Sequence, residues 1–339
     1  LRLKKFENAE PVKQQQSFKQ FTRWRQERMS RLKNKDFSYK VPNVQPDLDY
    51  LHNGQSHKQP SITWVGHSTF FIQLDGLSIM TDPVWASQMA FQKRLAPPGI
   101  PIAEVPPVDI VLISHSHYDH LSIQTLRQLK GKRQLLVPAG LSSKLRMKGF
   151  ANVRELHWWE SVEIGGARFT FVPSQHWTRR TPWDMNSSHW GGWVIEPKKH
   201  TDAAAWQAEC GEATSGNTYR PVVSPAPTLY FAGDSGYFKG FSEIGSRFDI
   251  DVALMPIGAY EPEWFMGPQH VTPEQALQAF EDTGAKWFVP MHYGAFKLAD
   301  DTPREALCRL EAGRVERGIE SERIVVLPHG ETWKLFGRS

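Results

Sequence analysis

Residues 108–120 read Val-Asp-Ile-Val-Leu-Ile-Ser-His-Ser-His-Tyr-Asp-His, an apolar run that stops at three histidines and an aspartate. A short run rich in Val and Ile predicts a buried β-strand. Such strands do not ordinarily end in so many ionisable groups, because clustering them beside a core is costly unless a cation compensates them. The spacing differs from the His-x-x-x-His of a helical zinc motif. Extended chain puts His115 and His117 on one side, while Asp119 and His120 reach forward as the chain turns into a helix. Two diverging ligand groups suggest two metals. The plain alternative is a polar loop whose histidines cap the next helix.

The rest of the chain narrows what holds the metal. Its 339 residues contain two cysteines, Cys210 and Cys308, too far apart in sequence for a Cys-x-x-Cys knuckle, so His and carboxylate must supply the ligands. No apolar run reaches the eighteen residues that cross a bilayer, and the first residues show no signal-peptide pattern, which points to a cytoplasmic location with peripheral membrane contact as an option. Residues 1–40 hold twelve Lys and Arg against four Asp and Glu; with a total of +4, the remainder is therefore about −4. Phe18, Phe21, Trp24, Met29 and Leu32 recur at helical spacing among basic residues, which fits an amphipathic helix on an anionic membrane or, more blandly, a helix packed on the body. No nucleic-acid partner is expected, because the basic and aromatic residues are confined to this one segment. We divide the chain into a basic N-terminal extension, residues 1–60, and one α/β domain, residues 61–339, interrupted by an insertion at about 198–227.

Within the domain, strands 62–65, 69–74 and 77–81 form an antiparallel entry with Asp75-Gly76 as hairpin turn. His67 and Asp82 sit at strand ends and are candidates for positions just behind the metal ligands. Helices over 122–129 and 141–148, with a strand at 134–137, give the βαβ rhythm of a layered α/β fold. Further strands are expected at 162–164, 168–172, 193–196, 228–232, 251–256, 286–290, 324–326 and 332–334. Helices are expected at 272–282, with Thr272 as N-cap and Pro273 at its first position, and at 303–316.

Three of these strands deliver another metal-type residue just past their ends: His176, Asp234 and His292. Functional groups in layered α/β proteins collect on loops at one sheet edge, which strengthens the joint reading. Three histidines with a shared carboxylate satisfy one zinc with an open position, and Asp119, His120 and His292 with the same carboxylate satisfy a second. Mn²⁺ and Fe suit the same donors. No Gly-x-Ser-x-Gly elbow supplies a serine nucleophile.

The His-x-His-x-Asp-His pattern with those three residues resembles the metallo-β-lactamase superfamily. The resemblance implies an αββα four-layer sandwich with two Zn²⁺ between the sheets: His115, His117 and His176 on one, Asp119, His120 and His292 on the other, Asp234 bridging. Segments 64–69, 81–83, 173–181, 231–237, 256–262, 264–266 and 269–271 further resemble the N-acyl-phosphatidylethanolamine-hydrolysing phospholipase D family. This implies a metal-dependent phosphodiesterase, a phospholipid substrate and attack on phosphorus by a metal-bridging hydroxide. Asp119 and His270 are the candidate catalytic residues, His270 donating a hydrogen bond or a proton. Tyr260, Trp264, Phe265 and Met266 form a candidate wall for acyl chains with Gln269 beside them, and Arg179 and Arg180 are candidate phosphate partners. A homodimer is a further expectation. Two readings compete: a lactonase or other ester hydrolase of the same fold, and a non-catalytic membrane-surface protein with a structural metal site.

Overall fold

The computed structural model describes residues 5–12, 18–54, 59–89, 92–197 and 226–335. Strands Ser61–Gly66 (β1), Thr69–Leu74 (β2) and Leu77–Thr81 (β3) form an antiparallel meander, followed by a two-stranded ribbon, Gln88–Met89 (β4) and Gln92–Lys93 (β5). Ile110–Leu112 (β6), Gln134–Pro138 (β7) and Val153–Leu156 (β8) add to β3 in parallel. The second sheet comprises Ser161–Ile164 (β9), Ala167–Val172 (β10), Gly192–Pro197 (β11), Leu229–Phe231 (β12), Val252–Pro256 (β13) and Trp287–Met291 (β14), in the order β14-β13-β12-β11-β10-β9. Thr332–Lys334 (β15) returns to the first sheet, which runs β15-β1-β2-β3-β6-β7-β8.

The period of two along each strand sends alternate side chains to opposite faces, and this sorts the core into layers. Phe70, Ile72, Ile79, Ile110 and Leu112 join Phe169, Phe171 and Trp193 between the sheets. Their neighbours Phe71, Met80, Val111 and Ile113 pack outward with Leu126 and Leu145. Those leucines belong to helices Ile123–Gln128 and Ser142–Met147, the outer layer on the first sheet. Helices Gly240–Arg247, Pro273–Thr283 and Pro303–Glu316 supply the outer layer on the second, through Phe241, Leu277, Phe280 and Leu310. The result is an αββα four-layer sandwich. Among the described residues no helix is long and apolar enough to cross a membrane.

Local signals place most elements. Thr272 and Thr302 each close a capping box, with Gln275 and Glu305, and each is followed by Pro at the first helical turn. The strand expected over 324–326 reduces to one bridge from Ile324 to Phe288, because the chain leaves the sheet and Val326 turns to solvent. Helix Gly240–Arg247 carried two glycines that hid it; a Cβ on Gly245 would lie 2.5 Å from the Asp282 carbonyl oxygen, so that glycine lets the helix approach its neighbour.

The basic segment does form a helix, Phe18–Leu32, and it rests on the body. Trp24 stacks on Phe265 at 5.2 Å, Arg28 pairs with buried Asp300 at 3.1 Å, and Lys35 pairs with Glu261 and Glu305. Val41 and Leu51 enter the two core clusters, so packing is continuous across residue 60. The excursion around Cys210 lies outside the described residues, apart from its last two positions.

Strand direction decides where the site lies. Two successive antiparallel pairings make β1 run with β3, and parallel pairing makes β6 run with both. By the same count β10 runs with β12, and β14 runs with β12 through β13. His67, Asp82, His115, His176, Asp234 and His292 therefore follow strands that end in a common direction within their sheet.

Candidate metal centre

Three histidines meet first. His115 Nε2 lies 2.9 Å from His117 Nδ1, which lies 3.2 Å from His176 Nε2. The far side of each ring is set by its neighbours. Ser114 Oγ donates to Asp82 and so accepts from His115 Nδ1 at 2.9 Å, while His176 Nδ1 donates to the Gln269 carbonyl at 3.0 Å. Both Nε2 atoms are left with lone pairs facing the cluster. Burial lowers the pKa of all three imidazoles, that of His117 to about 4, so each is neutral at pH 7.

A second set forms around Asp119, whose Oδ2 lies 3.3 Å from His120 Nε2 and 3.5 Å from His292 Nε2; the two nitrogens are 3.2 Å apart. His67 Nε2 donates to the same Asp119 oxygen at 3.1 Å. Asp82, fully buried, accepts from His120 Nδ1 at 2.6 Å and from the Ser114 N–H at 2.7 Å, turning His120 Nε2 toward the cluster. Asp234 stands between the sets. Its Oδ2 is 3.0 Å from His292 Nε2, 3.2 Å from His120 Nε2 and 3.9 Å from both His115 Nε2 and His176 Nε2. Gly233, at φ +64°, permits this approach, since a Cβ there would meet the Ser114 side chain at 2.7 Å. His67 and His292 also adopt positive φ, 57° and 63°, and the His292 N–H donates to the His67 carbonyl at 3.2 Å. Strained backbone is thus concentrated where the two sheets meet at the site.

The donor set fits divalent metal. With metal–nitrogen bonds of about 2.0–2.1 Å and angles of about 90–110°, two ligand nitrogens stand roughly 2.9–3.4 Å apart. The three nitrogen pairs above fall in this range. Facing lone pairs at such distances repel unless a cation or proton lies between them. Burial opposes charge on His120 and His292, but the Asp234 and Asp119 carboxylates outweigh it; His120 is held well above its ordinary pKa and His292 is raised to about 9. Buried His117 Nε2, Asp234 Oδ1 and His292 Nδ1 have no hydrogen-bond partner among the described residues.

His270 joins the group from the loop before Pro273–Thr283, its Nδ1 3.9 Å from Asp234 Oδ2 and its ring 5.2 Å from that of His176. Burial lowers its pKa to about 4, so it offers a neutral N–H rather than a proton carried at pH 7.

Several substrate candidates are engaged elsewhere. Tyr260 is fully buried under the Arg309 guanidinium, and Phe265 is sandwiched between Trp24 and Trp264, so neither is free to line an acyl channel. Trp264 lies under Arg23, at 4.5 Å, while Met266 remains partly exposed. Gln269 acts through its carbonyl on His176. Arg180 donates through Nη1 to the Ser116 and Leu121 carbonyls, each at 2.8 Å, and stacks on Tyr118, so it pins the loop that carries His117 and Asp119. Arg179 is exposed. On the loops that carry His117 and His176 the exposed apolar side chains are Tyr118, Met185 and Trp183, the last 87% exposed, while Trp177 meets His117 edge-on at 4.8 Å. These were missed because an aromatic in a polar loop has no periodicity to mark it.

A family model described as beta-lactamase superfamily domain matches residues 78–222 and 201–293. An uncharacterized protein of Mycobacterium tuberculosis is 35% identical over 266 residues, 74% of this chain and 63% of that protein, so the match spans less than two thirds of the relative's length. The N-acyl-phosphatidylethanolamine-hydrolyzing phospholipase D 1 of Caenorhabditis elegans is 29% identical over 81% of this chain and 76% of its own. A solved metallo hydrolase of the archaeon Ignicoccus hospitalis shares the fold with a TM-score of 0.55 and 21% identity, over 81% of this chain and 97% of that one.

Proposed function

Because this chain belongs to the beta-lactamase superfamily and is built as its metal-dependent hydrolases are, we propose that it hydrolyses a phospholipid phosphodiester with two divalent cations, Zn²⁺ by preference. The substrate we infer is N-acyl-phosphatidylethanolamine, cleaved by water on the phospholipase D side to phosphatidic acid and an N-acylethanolamine. The observation that carries this reading is Asp234 Oδ2, within 3.2 Å of two ligand nitrogens of one set and 3.9 Å of two of the other. One carboxylate so placed suits two cations that share it. His115, His117 and His176 would hold the first, Asp119, His120 and His292 the second. Such a pair supplies acidification of water toward neutrality and neutralisation of charge on phosphoryl oxygens.

The chain's own groups do the rest. Asp119, held by the His67 N–H, presents a partly exposed carboxylate that can orient water and accept its proton. Neutral His270 can donate a hydrogen bond to a phosphoryl oxygen. Tyr118, Trp183 and Met185 offer apolar surface for acyl chains or for the lipid surface that holds them, and the basic face of Phe18–Leu32 suits anionic headgroups. The C. elegans relative supports the substrate choice by its name alone.

Incubating the full chain with N-acyl-phosphatidylethanolamine, a simple aryl phosphodiester and a lactone, with and without chelator, tests the reading. Release of phosphatidic acid that stops on chelation is the expected result. Lactone hydrolysis with the phospholipid untouched would overturn the substrate, and turnover surviving complete metal removal would overturn the mechanism. His270→Ala should lower kcat by about 10²–10³-fold if its N–H stabilises phosphoryl charge in the transition state. Metal content should stay at the wild-type value; its loss would make His270 a ligand instead.

A further inference from the structure

Residues 5–12 follow the body with alternate side chains turned inward: Phe6, Asn8, Glu10 and Val12 are partly buried, and the residues between them are exposed. Both ends of the Asn8 amide meet the backbone of one residue. Its Nδ2 donates to the His176 carbonyl at 3.0 Å, and the His176 N–H donates to its Oδ1 at 3.0 Å. The Trp190 indole N–H donates to the same Oδ1 at 2.9 Å, which sets the amide's orientation, since a flipped group would turn NH₂ against two donors. Two residues upstream, Phe6 stacks on His189 at 4.5 Å and its N–H donates to the Asn186 carbonyl at 2.9 Å. The segment is thus tied at two points to the loop between β10 and β11.

That loop needs tying. Between Val172 and Gly192 it contains no helix or strand, only the bridge of Gln175 to Gly236. His176 comes one residue past the bridge, is buried, and has no sheet neighbour for its N–H and C=O. His115, His117 and His120 sit on a loop that Asp82 and Arg180 hold from within the domain. The backbone of His176 is held by a segment some 168 residues away in sequence.

We propose that this N-terminal strap is a positioning element for the metal centre: by pairing with both backbone groups of His176, Asn8 keeps Nε2 aimed at the His115 and His117 nitrogens and sets the affinity of that one cation position. The proposal rests on the reading of the site as dinuclear. Outer partners of metal ligands are typically worth about 10–100-fold in affinity, so Asn8→Ala should weaken one of two binding steps by that factor and leave the other as it was.

The test is a Zn²⁺ titration of the full chain against a chromophoric chelator, repeated with Co²⁺ to read ligand geometry by visible absorption, on wild type, Asn8→Ala, Phe6→Ala and His176→Ala. We expect two steps in wild type, loss of one in His176→Ala, and weakening of that same step in Asn8→Ala with an altered Co²⁺ spectrum. Phe6→Ala releases the strap without touching the hydrogen bonds at His176 and should weaken the same step; it carries the test if Asn8→Ala does not fold. Wild type that takes up no metal sinks the metal-centre reading. Wild type with two steps, beside variants that titrate identically or lose both steps equally, sinks the strap proposal alone.

Discussion

Asp234→Asn is expected to leave the chain folded and to remove metal-dependent turnover. The substitution keeps the shape of the side chain and takes away its charge, at the one oxygen that approaches both nitrogen sets. The burden on folding is confined to the His120 and His292 contacts, because Asp234 Oδ1 makes no hydrogen bond among the described residues and the amide keeps the carboxylate's shape. The burden on metal binding is large. Without the carboxylate, two cations would face each other across a neutral amide, whose NH₂ in one orientation opposes the His292 and His120 nitrogens. Loss of an outer partner typically costs about 10–100-fold in metal affinity, and loss of this ligand should exceed that. Metal content after dialysis, read beside circular dichroism and turnover, checks it. A variant that retains both metals and most of its activity would remove Asp234 from the centre.

Asp82→Ala should instead destabilise the fold. Asp82 is fully buried, and its carboxylate collects the Ser114 N–H, the Ser114 hydroxyl and the His120 Nδ1–H. Burial raises its pKa despite His120 and Ser114, so the group stays in place only because every lone pair it turns inward is answered. Truncation leaves the Ser114 N–H, the Ser114 hydroxyl and the His120 Nδ1–H buried without their acceptor. Removing one partner of a buried pair costs about 3–5 kcal/mol, and urea unfolding of the metal-free chain should show a loss of that order. Asp82→Asn separates stability from metal binding. If its NH₂ faces His120, the ring must present a lone pair at Nδ1 and a proton at Nε2, blocking the nitrogen that faces Asp119 and Asp234. The expected result is a milder stability loss with metal affinity down by at least about 10-fold; unchanged affinity would mean that Asp82 does not orient His120.

Much of the site was legible because strands report themselves locally. Period-two alternation and apolar runs located β6, β10, β12 and β14, and a His or Asp just beyond each end marked His115, His176, Asp234 and His292 as one group. Capping chemistry did the same for Pro273–Thr283, where Thr272 as N-cap and Pro273 at the first position carry the signal; Pro303–Glu316 proves to begin the same way, at Thr302. The 260–266 segment misled for an equally physical reason. Tyr260, Trp264 and Phe265 look like a binding wall by composition, yet their partners, Arg309, Arg23 and Trp24, lie far off in sequence. Apolar character alone does not say whether a side chain meets a ligand or a neighbour. Arg180 is a similar case: its charge suggested phosphate, and its Nη1 is spent on two backbone carbonyls far off in sequence.

The sequence by itself determined the donor types, their clustering at strand ends and a layered α/β class, because residue chemistry and hydrophobic period act over a few positions; the αββα arrangement was what the family resemblance implied. Only the tertiary structure decided that Asp234 stands between two nitrogen sets, that Asp82 and His67 aim the ligands, that Arg180 braces a loop, and that Asn8 reaches back to His176. Those are matters of distance between groups far apart in the chain. Such distances are set when two sheets pack and their loops converge, a result that no single stretch of residues encodes.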